Sequence, residues 1–158
     1  MAAIFNSDEV FQMAMQLEET GRTFYEALAH ECPNRQVATL CGQLAGQEME
    51  HYNLFKKMRE QMARKTDSRR LSLEELDFVT ALLEDKVVLD ADQARKNALR
   101  GNAREMLDLA IKMEKDSVLF YAELAGAVGP KDAAAVQEII KEEKKHVRDL
   151  IAARRNLD

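Results

Sequence analysis

The sequence predicts an all-α protein, a bundle of four long helices arranged as two helical hairpins with a long crossover connection. Residues that favour helix dominate the 158-residue chain, which has only 6 Gly, 2 Pro and no Trp. Apolar residues recur every three or four positions over long stretches, the spacing of one helix face. An internal repeat, whose unit has the length of a helical hairpin, supports the same architecture.

Two helices are predicted in the first half of the chain. A cap at Asn6 or Ser7 starts a helix over about 7–30, which a proline then stops. Asn34 opens the second helix, predicted over about 34–65, and a polar stretch interrupts the apolar pattern after it. The short connection between these helices predicts that they form a hairpin.

A crossover and a second hairpin are predicted in the rest of the chain. Ser72 followed by Glu75 is a capping-box pattern, which predicts a shorter helix over about 73–88. A third helix follows over about 102–126, and Pro130 suits the first turn of a fourth helix. The chain is thus predicted to be a single domain, 1–158, with hairpin one at about 7–65, a crossover at about 66–101 and hairpin two at about 102–155.

The two hairpins are related by an internal repeat. In the first helix of each hairpin, residues 17–29 align with 113–125 at an offset of 96 residues. In the second helix, residues 47–51 align with 142–146 at an offset of 95 residues. We therefore expect the two halves of the bundle to be structurally equivalent.

Charge and hydropathy argue against several classes of partner. The net charge of −5 is mild, and basic residues alternate with acidic ones, so nucleic acid is not expected as a partner. No window approaches 18 consecutive apolar residues, so no membrane association is expected. The beginning of the sequence lacks a basic region leading into an apolar stretch, from which we expect a cytoplasmic protein.

The two cysteines do not form a metal-binding pair. Cys32 and Cys41 give no CxxC pattern, which excludes an in-chain iron or zinc site with four thiolate ligands. A disulfide between them stays open as an alternative. We expect Cys41 to be a small core residue rather than a redox thiol.

Ionisable side chains fall on the predicted inward stripe of every long helix, where apolar residues are expected. Isolated carboxylates in an apolar interior cost several kcal/mol each, so they must be neutralised, paired or bound to metal. A purely structural network of buried polar groups is the alternative interpretation. The residues concerned are Glu18 on the first helix, Glu48 and His51 on the second, Glu114 on the third, and Glu143 and His146 on the fourth.

The pattern Glu-x-x-His occurs twice among these residues and predicts metal ligands. Its two side chains lie one helical turn apart on the same face, where one metal ion can meet both. A Glu from each of two helices, plus Glu-x-x-His from each of the other two, is the ligand set of dinuclear carboxylate bundles. Carboxylates with imidazole suit iron or manganese, and zinc would also bind. We expect two iron ions, with manganese or zinc as possible substitutes. The repeat divides the six ligands into two equivalent half-sites, one in each hairpin.

Two tyrosines lie near these predicted ligands. Tyr25 and Tyr121 are two turns from Glu18 and Glu114, where a phenol could hydrogen-bond a ligand carboxylate or stop a radical. They are the candidates for a catalytic role, although packing alone would also account for them. Glu142, beside one of the predicted ligands, is expected to point outward into solvent.

These residues resemble the rubrerythrin branch of the ferritin-like di-iron carboxylate proteins, and the resemblance covers most of the chain. It implies reduction of hydrogen peroxide, or oxidation of ferrous iron by dioxygen, in defence against oxidative stress. Well-studied rubrerythrins carry a further Glu one turn along the third helix, where this chain has Ser117, with Gly21 at the repeat-equivalent position. They also carry a rubredoxin domain, and its absence here implies a separate electron donor such as a rubredoxin.

Three functions follow as hypotheses. The leading one is a non-haem di-iron oxidoreductase that acts on peroxide or dioxygen. The alternative is a ferritin-like protein that binds or stores iron without catalytic turnover. The third is an oxygenase acting on an organic substrate, which would need an apolar pocket near the metals. Because long helices often pair, we also expect a homo-oligomer, with a dimer favoured.

Overall fold

Helices make up nearly all of the part of the chain that the structure describes. The structure is a computed structural model that describes residues 7–62, 72–84, 92, 96 and 102–157. The helices with defined bounds in these ranges are α1 (Ser7–Glu31), α2 (Arg35–Met62), α3 (Leu73–Glu84), α4 (Ala103–Ala127) and α5 (Pro130–Arg155).

Side-chain caps set the beginnings of three helices. Asn34 Oδ1 accepts hydrogen bonds from two backbone N–H groups at the start of α2, both at 3.1 Å. At α3, Ser72 and Glu75 form a reciprocal capping box, with bonds of 2.7 and 3.2 Å. Asn102 accepts from the Glu105 N–H at 3.2 Å and caps α4. Pro130 begins α5, where the missing N–H would have no helical partner.

The four long helices form two hairpins, as predicted. α1 packs against α2 and α4 against α5, while α1 meets α4 and α2 meets α5 across the bundle. α3 lies in the crossover and contacts α4. The predicted crossover helix over about 73–88 is observed as Leu73–Glu84, and residues 85–88 lie outside the described residues. The prediction of a four-helix bundle with a helix in its crossover is therefore confirmed.

The apolar core is divided into two layers along the bundle. One layer takes residues from the N-terminal parts of α1 and α5 and the C-terminal parts of α2 and α4, including Phe11, Phe55 and Ile139. The other layer takes the opposite helix ends and includes Leu28 and Leu107. Between these layers the inward stripes are interrupted by buried charged residues.

A helix that spans a membrane must be both long and predominantly apolar. None of the described helices combines the length and the apolar character that such a helix needs.

Candidate metal centre

The six predicted ligands lie together in the middle of the bundle, between the two core layers. Each long helix contributes at least one of them, because each carries an ionisable residue on its inward stripe, and their ligand atoms come close together. All six are buried, and none is more than 4 % exposed. These residues are Glu18, Glu48, His51, Glu114, Glu143 and His146.

The six side chains form two groups that overlap. In each group, one ligand atom from each of four residues lies within 4.8 Å of the others. The first group is Glu18, Glu48, His51 and Glu143, and the second is Glu48, Glu114, Glu143 and His146. Glu48 and Glu143 belong to both groups. The two groups therefore do not coincide with the two hairpins, since each draws on both of them.

Both histidines turn the same ring nitrogen toward the carboxylates. His51 Nδ1 lies 2.8 Å from Glu143 Oε1 and 3.5 Å from Glu18 Oε2. His146 Nδ1 lies 3.0 Å from Glu143 Oε2, and 3.4 and 3.5 Å from oxygens of Glu48 and Glu114. The two imidazole rings stack with centroids 5.8 Å apart. Each Nδ1 atom is thus placed among carboxylate oxygens, as a metal ligand would be.

Several of these atoms have unsatisfied hydrogen-bonding capacity. Within the described residues, Glu18 Oε2 and Glu48 Oε1 are buried and have no hydrogen-bond partner. Glu143 Oε1 and His51 Nδ1 lie close to each other, but their orientation does not make a hydrogen bond. Buried polar atoms without partners cost about 1–3 kcal/mol each, so a cluster of them needs a compensating ligand. A pair of cations bound by oxygen and imidazole nitrogen would satisfy all four atoms, so the residues present fit a dinuclear metal site.

Each candidate tyrosine contacts the glutamate of the opposite hairpin. The Tyr25 hydroxyl donates to Glu114 Oε1, and the Tyr121 hydroxyl donates to Glu18 Oε1. Both tyrosines are fully buried, and burial and the nearby carboxylates raise the pKa of each phenol well above its usual value. The phenols therefore stay protonated and act as donors that orient the two carboxylates.

Burial and mutual repulsion dominate the protonation of the carboxylates. Burial, reinforced by neighbouring carboxylates, raises the pKa of Glu18, Glu48 and Glu114 above the usual value. Glu143 differs, because contacts with Glu114 and both histidines outweigh its burial and lower its pKa. Four carboxylates at this distance cannot all ionise without added positive charge.

The histidines supply positive charge in the absence of metal. Burial alone would lower the pKa of both imidazoles. The neighbouring carboxylates outweigh burial and raise the pKa of His51 to about 11 and that of His146 to about 9. Metal ions would have to displace these protons in order to bind.

Glu142 is a neighbour of the cluster that the sequence interpretation missed. We expected it to point into solvent, and its side chain is 52 % exposed, but its Oε2 lies 2.7 Å from Nε2 of His51. It therefore reaches across from α5 to the histidine on α2. Periodicity could not reveal this contact, because position 142 lies at the edge of the inward stripe and the contact joins two hairpins.

A small cavity opens beside the cluster, between α1 and α4. Its volume is about 20 Å³, and Glu48, Glu114 and Tyr25 form part of its lining. Gly21 and Ser117, where we noted the missing carboxylate, also line it. A volume of this size holds one very small molecule, because a single water needs about 10–15 Å³ by the same measure.

Comparisons with known proteins agree with this geometry. The chain is similar, at 28 % identity and with a TM-score of 0.66, to a Thermotoga maritima protein whose crystal structure is assigned to the ferritin-like diiron-carboxylate proteins. The alignment covers 96 % of each chain. No curated protein matches the chain. The rubrerythrin family model matches residues 9–153, nearly the whole length, and the chain therefore belongs to the rubrerythrin family.

Proposed function

We propose that this chain is a non-haem di-iron oxidoreductase that reduces hydrogen peroxide, or oxidises ferrous iron with dioxygen, in defence against oxidants. The observation that supports it best is the pair of overlapping four-residue groups joined by Glu48 and Glu143. Carboxylates with imidazoles favour iron among the common cellular metals, with manganese or zinc as substitutes. When bound, two adjacent irons supply the two electrons that cleavage of an O–O bond requires.

In this proposal, different residues bind the metals, orient the ligands and exclude water. Glu18 and Glu114 would each hold one metal, together with His51 and His146, and Glu48 and Glu143 would contact both. Tyr25 and Tyr121 keep the two outer carboxylates in place by donating hydrogen bonds to them. The apolar layers on either side exclude bulk water from the cluster.

The size of the cavity bears on the choice of substrate. A cavity of about 20 Å³ suits dioxygen or hydrogen peroxide and is too small for an organic substrate of several carbon atoms. This observation disfavours the oxygenase hypothesis. Reduction of one peroxide to two waters consumes two electrons and two protons, so turnover needs an external reductant, for which we propose a separate electron-carrier protein such as a rubredoxin.

Anaerobic loading with Fe²⁺ followed by addition of H₂O₂ tests the proposal. We expect about two irons per chain, and rapid reoxidation followed in the near-ultraviolet absorbance. Glu48→Ala is the matched control, because it removes a residue common to both groups and should abolish the reaction. If iron binds but does not react with peroxide or dioxygen, this result would contradict the proposed oxidoreductase activity and favour iron storage.

The alternative of iron storage makes a different prediction about assembly. An iron-storage protein without turnover is expected to assemble into a large hollow shell. The oxidoreductase, in contrast, is proposed to be a homodimer in the cytoplasm. Sedimentation velocity of the iron-loaded protein separates these two sizes. A shell that accumulates hundreds of irons per particle would favour the storage alternative.

A further inference from the structure

The two halves of the candidate metal centre differ, although the repeat makes them equivalent in sequence. His51 Nε2 lies 2.7 Å from a carboxylate oxygen of Glu142. His146 is fully buried, and its Nε2 has no hydrogen-bond partner among the residues that the structure describes. In both histidines Nδ1 faces the cluster, so Nε2 is the nitrogen left to interact with the surroundings.

The difference originates in a single position of the repeat. At the offset of 95 residues, Glu142 corresponds to Gln47 in hairpin one. By the repeat, residue 47 is the one that would support His146 as Glu142 supports His51. It is a neutral amide instead of a carboxylate. A carboxylate that accepts the Nε2–H fixes the orientation and tautomer of the ring and makes Nδ1 a stronger ligand. Within the part of the chain that the structure describes, only the group containing His51 has this support.

The cavity also lies closer to one of the two ligand groups than to the other. Its lining includes Glu114, which belongs only to the second group, and Glu48, which belongs to both. The lining does not include the other four candidate ligands, which are Glu18, His51, Glu143 and His146. A small molecule in the cavity therefore meets the second group through Glu114 and the shared Glu48. This is the group whose histidine has no supporting carboxylate among the described residues.

From these two observations we infer that the metal positions are unequal in affinity and access. The Glu18–His51 position holds its metal tightly, and the Glu114–His146 position holds its metal more weakly and is where metal exchanges and small ligands approach. Glu142 is a positioning residue that acts through His51. The inference rests on the proposed function, because it presupposes that the six residues bind two metal ions.

Partial loading tests this inequality directly. Metal-free protein is given one equivalent of Fe²⁺ per chain without oxygen, and the occupancy of each position is measured by anomalous diffraction at the iron edge. We expect the first iron at Glu18–His51 with a preference of about tenfold or more, the range of effects found for such supporting carboxylates. Equal occupancy, or a preference for Glu114–His146, would overturn the inference.

Variants at the two repeat-equivalent positions test the cause. Glu142→Ala should weaken iron binding at Glu18–His51 by about 10–100-fold and remove the preference. Gln47→Glu should strengthen the other position and also reduce the difference. Glu138→Gln is the control, because it removes an exposed carboxylate one turn earlier on α5 that pairs only with Lys141 in the described contacts. A preference unchanged in Glu142→Ala would refute the assigned role.

Mössbauer spectra of protein loaded with one equivalent of ⁵⁷Fe²⁺ give a readout independent of activity. The wild-type protein should show one dominant ferrous species, and Glu142→Ala should show two. If no iron binds to the wild-type protein at all, the proposed function itself fails. If two irons bind without preference, only the present inference fails.

Discussion

Gly21 shows how one missing side chain shapes the centre of the bundle. It is buried on α1, and a Cβ atom at this position would lie 2.5 Å from Oε2 of Glu48. That separation is shorter than any ordinary contact between a carbon and an oxygen atom, so any other residue would displace the carboxylate. The glycine is therefore explained by the close approach of Glu48 and not by a special backbone conformation.

Substitution of this glycine gives a prediction at the residue scale. Gly21→Ala should displace Glu48 and lower the amount of iron retained at both positions, measured as iron per chain after anaerobic loading and desalting. Alanine in place of glycine normally stabilises a helix by about 0.5–1 kcal/mol, and here we expect that gain to be lost to crowding.

A second helical glycine supplies the control for this prediction. Gly46 on α2 is exposed, and a Cβ there would meet no atom within 4 Å. Gly46→Ala should raise the free energy of unfolding and leave the iron content unchanged. If Gly21→Ala gains stability as Gly46→Ala does and keeps two irons, the close approach of residue 21 to Glu48 does not matter for metal binding.

At the scale of helices, the cluster depends on how the two hairpins dock. The tyrosine of each hairpin donates to a glutamate of the other, and His51 of hairpin one contacts Glu142 of hairpin two. Neither hairpin holds a complete group of four ligands by itself. We conclude that assembly of the bundle and assembly of the site are the same event.

This sharing predicts two classes of ligand variant. Glu48→Ala and Glu143→Ala should each lose about two irons per chain, because these residues belong to both groups. Glu18→Ala and Glu114→Ala should each lose about one, since each belongs to a single group. Metal analysis of the four purified proteins measures the difference, and circular dichroism verifies that each is folded. Equal losses in all four variants would argue against the sharing.

At the scale of the whole molecule, the buried charges connect stability to pH and to metal. The pKa of His51 is raised to about 11 and that of His146 to about 9, both above the ordinary value of 6.5. A raised pKa in the folded state stabilises the fold fully below the unfolded value, and this contribution is lost as pH rises through the folded value. The raised pKa values of Glu18, Glu48 and Glu114 act in the same direction.

The metal-free protein should therefore lose stability between pH 7 and pH 10. We expect its free energy of unfolding to fall by at least about 1 kcal/mol, because over this range the folded protein still holds protons on His51 and, up to about pH 9, on His146 that the unfolded chain has already lost. Urea unfolding of chelator-treated protein at the two pH values measures the change. Zinc-loaded protein is the comparison, because metal has already displaced these protons and the fall should be much smaller. A metal-free protein equally stable at both pH values would contradict the prediction.

Much of the fold could be predicted because a helix is a local structure. Pro130, Asn34 and the Ser72–Glu75 capping box mark helix ends through contacts within a few residues, and each was recognisable in the sequence. The inward stripes were equally clear, because the helical period alone decides which residues share a face. The repeat then indicated that two such hairpins form the bundle.

The sequence by itself determined which residues would be buried and charged, since burial follows from the face of the helix on which a residue lies. Only the tertiary structure decided that Glu48 and Glu143 are common to both groups, that Glu142 contacts His51, and that the cavity lies beside Glu114. These features are distances between helices far apart in the chain, and the docking of the hairpins fixes such distances. A helical period carries no information about them.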